Sequence, residues 1–213
     1  VTHPIIESTF VTPLGKVVCT LTSSTSDIVH ISTTAYKNGT SMSYKIKGHH
    51  VELIEFKIRQ PLHNGETVKG THGWIWRIEN IGDVANKLML HCFLTNPSEH
   101  INFDVNSGEH LDAIEASDHE WTLHIGTEDG EMIHTRATVD DGFPKRLKDT
   151  VDFDRSITKT FPHGFETEIP ALHIGEHIHI QYLIAYDKSD SDAVNTWLAV
   201  DALKSDLEDW IGV

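Results

Sequence analysis

Residues 64–96 read NGETVKGTHGWIWRIENIGDVANKLMLHCFLTN, and the fold turns on how this stretch is read. It holds two runs with strand character, 72–80 and 86–95, on either side of an Asn-Ile-Gly-Asp turn. Trp74, Trp76 and Ile78 share one face of the first run. Leu88, Leu90, Cys92 and Leu94 share one face of the second, and Met89, His91 and Phe93 the other. The spacing predicts a hairpin. A strand that is apolar on both faces predicts a central position with cover on two sides.

Outward from this stretch, period-two alternation continues in both directions. Runs 16–22, 27–36, 41–47 and 50–60 read as strands, with Asn38-Gly39 as a turn between two of them. Downstream, 119–126, 131–139, 173–186 and 194–200 read the same way. Residues 140–172, with three prolines, predict an irregular excursion. Only 202–212 reads as a helix, with Leu203, Leu207 and Ile211 a turn apart. About ten strands with closely spaced turn signals predict an all-β fold. The expected form is an immunoglobulin-like or jelly-roll β-sandwich with a short C-terminal helix. The domain expectation is an N-terminal extension, 1–15, followed by one sandwich domain over 16–213.

Charge narrows the partners. Against 32 acidic residues stand 17 Lys and Arg, a formal net charge of -15. Such a surface repels nucleic acid and anionic lipid, and no run of 18 apolar residues predicts a membrane span. The sequence starts at Val1, from which a removed signal peptide and a secreted protein are expected. Cys19 and Cys92 each sit in an apolar run, as buried thiols or as one bridge.

The residues that carry chemistry form no complete active-site motif. There is no Gly-x-Ser-x-Gly, Walker loop or His-Glu-x-x-His, and the expectation is a protein that is not an enzyme. Among 16 histidines, His177 and His179 form an i, i+2 pair at a transition-metal spacing. His124 and His134 fall on polar faces of expected strands and extend a histidine patch. Asp187, Asp190 and Asp192 in one loop, and Asp104 in an oxygen-rich turn, are candidate Ca²⁺ ligands. Asn38-Gly39-Thr40 is a glycosylation sequon at a turn. Trp74 and Trp197 are candidate stacking platforms for a carbohydrate or other ligand.

The stretch also carries a resemblance. Asn64-Gly65-Glu66-Thr67-Val68, the run Trp76 to Asp83, and Leu88-Met89-Leu90 resemble the camelysin/TasA family. Gly39-Thr40-Ser41-Met42-Ser43 stands where that family opens a strand with Gly-Thr, and Leu172 to Glu176 precedes the last long strand. The likeness spans residues 36–96 and, loosely, 170–200. It implies a secreted β-sandwich that builds matrix fibres, related to archaeal bundling pili and cannula-like filaments. It further implies a homopolymer in which a donated strand completes the next subunit's sheet. The candidate donor is 2–15, with Ile6 and Phe10 on one face and Ile5 and Val11 on the other. Polysaccharide or neighbouring filaments are the further partners implied. A ligand-binding sandwich module and a histidine-metal β-barrel enzyme are the alternative functions.

Overall fold

The computed structural model describes residues 3–25, 27–82, 86–189 and 193–213. The expected all-β sandwich is what forms, with two antiparallel sheets and short helices. The strands are β1 (His3–Thr12), β2 (Gly15–Ser23), β3 (Ile28–Ala35), β4 (Gly39–Ile46), β5 (His49–Phe56), β6 (Gly70–Asn80) and β7 (Leu88–Thr95). They continue with β8 (Asn102–Gly108), β9 (Leu111–Ser117) and β10 (Trp121–Glu128). Then come helix α1 (Gly130–Val139), a 3₁₀ turn (Lys145–Asp149), β11 (Thr158–Phe161), β12 (Gly164–Ile169) and β13 (His177–Lys188). Helices α2 (Ala193–Val200) and α3 (Lys204–Ile211) end the chain. The small sheet runs β1-β2-β7-β12-β11 and the large one β3-β4-β5-β6-β13-β10-β9-β8.

The expected hairpin does not form. β6 lies in the large sheet and β7 in the small one, so the chain crosses the sandwich between them. Each covers the other: Trp74, Trp76 and Ile78 bury against a core that includes Leu88, Leu90, Cys92 and Leu94. β6 instead pairs with β13, Trp76 opposite Ile180 and Trp74 opposite Tyr182. β7 alternates buried and half-buried positions, and its Met89, His91 and Phe93 face stays partly open.

A third layer explains the doubly buried strands. β13 has Ile178, Ile180, Tyr182 and Ile184 in the core between the sheets. Its other face puts Leu183 and Ala185, with Ile54 and Ile75, against Ala199, Val200, Leu207 and Ile211. Helices α2 and α3 therefore cap the outer face of the large sheet. Two expected strands are helices instead. Residues 131–139 form α1 because Asp129 caps it, accepting from the Met132 amide at 2.8 Å. Residues 194–200 form α2, whose Thr196, Ala199 and Val200 bury at helical spacing. The excursion 140–172 contains β11 and β12, and β8 and β9 form where no strand is expected.

From His3 on, the N-terminal segment does not stand apart. β1 pairs antiparallel with β2 of its own chain, Phe10 opposite Val17. Ile6 is buried, Ser8 Oγ accepts from Trp74 Nε1 at 2.8 Å, and Phe10 stacks on His72 at 4.8 Å. The expected donor strand is thus an edge strand of its own small sheet, with Ile5 half-buried against the core and Val11 turned outward at 72% exposure.

Candidate functional site: a polar pocket and two open sheet edges

Helices α2 and α3 cover only part of the large sheet's outer face. Where the apolar third layer ends, strands β5, β6 and β13 set six side chains in two rows. His50, Glu79 and His177 are partners in one row, and Glu52, Arg77 and His179 in the next. Alternation alone puts them on one face, since each row lies two residues from the other along every strand. Lys204 and Glu208 of α3 roof the grid, enclosing a pocket of about 290 Å³.

Arg77 is the organising cation. It donates to Glu52 at 3.1 Å and to Glu208 at 2.6 Å, and Lys204 meets Glu208 at 3.2 Å. Burial works against the guanidinium charge, yet the bonds and charges of Glu208 and Glu52 hold its pKa above the usual value. This network ties α3 to the sheet. His179 is the opposite case. It is buried at 5% exposure, its Nε2 meets no partner, and its ring lies edge-on to Phe143. Burial, with the positive charges of Arg136, Lys204, His177 and Arg77, pushes its pKa far below the ordinary imidazole range. His177 is positioned by a glycine: at Gly142 (φ +80°) a Cβ would stand 2.4 Å from the His177 ring, and the His177 amide donates to Gly142 O at 2.9 Å.

A buried ion pair stands behind this grid. Arg136 of α1 bonds Glu128 of β10 and donates to the His179 carbonyl. Burial raises the Glu128 pKa to about 7 against the pull of Arg136 and Lys204, and its Oε2 has no partner.

The structure sorts the residues expected to matter. His177 and His179 do share the pocket. His124 and His134 are not part of it: His124 is buried in β10 against Thr196 at 2.9 Å, and His134 of α1 bonds the Val151 carbonyl. Among the described residues no three His, Cys, Asp or Glu side chains are grouped to hold a metal ion. Asp187 is buried on β13 and Asp104 lies on edge strand β8, with β10 and β9 between them. Asp190 and Asp192 lie outside the described residues. The Asn38 amide nitrogen, where a glycan would attach, donates to the Trp210 carbonyl at 2.7 Å. Trp74 is wholly buried and Trp197 half-buried against the helical layer, so neither is an open platform. Both cysteines are free.

The other open feature is the pair of edges of the large sheet. In β3 every residue after Ile28 is exposed, including Val29 at 63% and Ile31 at 55%. Its sequence IVHISTTA has no Asp, Glu, Lys or Arg. At the far edge β8 exposes Phe103 at 36% and Val105 at 48%. Beside β8 an apolar groove of about 620 Å³ runs between Phe103, Phe93, Pro97 and His163. Neither edge strand holds a lysine or a proline; the guards present are a bulge in β3 between His30 and Ser32 and the single charge of Asp104 in β8.

Sequence reading missed Glu52, Glu79, Arg77 and His50 as a group. Their alternation is legible in HVELIEF and WRIEN, but their meeting with His177 requires β6 to neighbour β13, about a hundred positions on. No protein-family model matches the chain, and a comparison with curated proteins finds no match. Neither comparison links the chain to the camelysin/TasA family.

Proposed function

We propose that the chain is the structural subunit of an extracellular homopolymer, joined edge to edge, with β3 of one copy on β8 of the next. The carrying observation is strand direction. Every neighbouring pair in the large sheet is antiparallel, and the sheet holds eight strands. An even count makes the two edge strands run in opposite directions. A copy shifted along the sheet, without being turned over, therefore offers β8 antiparallel to β3. Antiparallel junctions are the more stable kind, and repeated head-to-tail contacts grow a filament.

Side chains support the same junction. β3 brings no charge, and its eight residues match the seven of β8 in length. Phe103 and Val105 of β8 share the face that pairs with Ala116 and Ile114. Burying these exposed apolar groups against a second strand is favourable. Donation of β1 is the less economical route, because it would strip Ile6 from the core and break the Ser8–Trp74 bond. The resemblance to secreted fibre-forming proteins supports the extracellular setting.

Two edge variants test this. Light scattering and electron microscopy of the wild-type chain should show growth with concentration. Ile31→Lys and Val105→Lys, each blocking one edge, should stay monomeric alone and form a dimer when mixed. A two-fold β3–β3 contact would instead let Val105→Lys dimerise by itself. A wild-type chain that stays monomeric at every concentration refutes the reading.

A further inference from the structure

The polar pocket on the outer face of the large sheet has a charge pattern that selects among ligands. Two of its cations and two of its carboxylates compensate one another: Arg77 holds Glu52 and Glu208, and Lys204 shares Glu208. What remains is Glu79, which has no hydrogen bond or ion pair among the described residues, set between its register partners His50 and His177. At the other side of the grid stands His179, with its buried, unpartnered Nε2.

Each charged class of ligand meets a penalty here. An anion would face the uncompensated Glu79 carboxylate. A cation would stand against the Arg77 guanidinium and the Lys204 ammonium, which line the same pocket. A neutral molecule rich in hydroxyls meets neither. Its hydroxyls can donate to Glu79, and they can donate to or accept from each imidazole, since a neutral imidazole carries one donor and one acceptor. The pocket, at about 290 Å³, sits at the small end of ligand cavities, the scale of a single ring rather than a chain. The walls are also set in advance: Arg77 is clamped from two sides, and His177 is seated against Gly142.

We propose that this pocket binds one unit of a neutral sugar, with Glu79, His177 and His179 as its hydrogen-bonding partners. The site lies on the face of the sheet, away from both edges, and stands whether or not the chain polymerises.

The test is titration of the full chain, labelled with ¹⁵N, with D-glucose, D-galactose and D-mannose in turn. Imidazole resonances and calorimetry are followed together. Saturable binding of at least one sugar, with shifts at His177 and His179, is expected. Glu79→Gln should weaken it about tenfold, the loss of roughly one charge-assisted hydrogen bond. Glu7→Gln, on the exposed edge of the small sheet, should leave it unchanged. If Glu79→Gln does not fold, His177→Gln takes its place with the same expectation. Inorganic phosphate is the control probe. Saturation by phosphate but by no sugar overturns the proposal, as does a flat response to all three sugars or undiminished binding by a folded variant.

Discussion

Cys19 of β2 and Cys92 of β7 stand directly opposite each other in the small sheet, both wholly buried and unbridged. Trp76 of the facing sheet donates its indole N–H to Cys19 Sγ at 3.2 Å. Burial, and the hydrogen bond with Cys19, push the Cys92 thiol well above its usual pKa. Both sulfurs are shut off from solvent, so these groups behave as small apolar side chains rather than as nucleophiles. A thiol reagent should label neither cysteine in the native chain and both in denaturant. Rapid stoichiometric labelling of the folded protein would contradict this.

Acid should unfold the protein through its buried histidines. Burial lowers the pKa of His72 to about 4, helped by Lys57, and that of His124 to about 4. His179 is lowered as well. Unfolded, these rings take up protons near pH 6.5, so the unfolded state binds more protons below that pH. Their contribution to stability is present above 6.5 and is lost as pH falls towards 4. Glu128 acts in the opposite sense. Its folded pKa of about 7 exceeds the ordinary 4.5, so its contribution is present below 4.5 and is lost as pH rises through 7. Burial lowers His49 and His91 as well, so the rings outweigh the one carboxyl. Urea melts between pH 6 and 5 should lose stability with a slope of about two protons or more. His124→Gln should lower that slope by about one proton, and Glu128→Gln should raise it by about one. A flat profile would show that these groups are not held as described.

One hydrogen-bonded chain spans the sandwich. Tyr182 of β13 and Thr167 of β12 meet at 2.6 Å, and Thr167 meets Thr158 of β11 at 2.8 Å. Tyr182→Phe leaves Thr167 its bond to Thr158 and should cost about 1 kcal/mol. Thr167→Val instead strands a buried phenol and should cost more, roughly 1–3 kcal/mol. Chemical denaturation that ranks the two the other way would refute this chain of contacts.

Gly73 is needed for the room its missing side chain leaves. Phe56, its partner on β5, lies across it, and a Cβ at Gly73 would stand 2.4 Å from the Phe56 ring. Gly73→Ala should destabilise by about 1–3 kcal/mol, as overpacking does. Combining it with Phe56→Leu should cost less than the two changes summed. Strict additivity in a double-mutant cycle would show that the ring does not rest there.

Local pattern carried the strands that alternate, and it carried them well. KVVCTLT, HVELIEF, HGWIWRIEN and LMLHCFLT each repeat apolar residues at period two, and each forms a strand with that face in a core. Trp76, Leu90 and Tyr182 bury fully, as their positions in those runs require. Asn38-Gly39 does lie at the connection from β3 to β4, but neither residue takes the positive φ of a two-residue Asn-Gly hairpin. Short mixed runs misled. GEMIHTRATV and AVNTWLAV fit a strand by composition, but their helical spacing of buried residues appears only once a sheet lies beneath them to pack against. β8 was invisible because an exposed edge strand has no face that must be apolar.

By itself, then, the sequence determined which faces are apolar, because burial is demanded residue by residue. Only the tertiary structure decided what each face meets. Strand order places β6 beside β13 and sends β7 to the opposite sheet, choices that depend on contacts far apart in the chain. The polar pocket follows from that order, since Glu79 and His177 become neighbours only through it. So do the two open edges: eight alternating strands leave β3 and β8 unpaired, running in opposite directions, at the ends of one sheet.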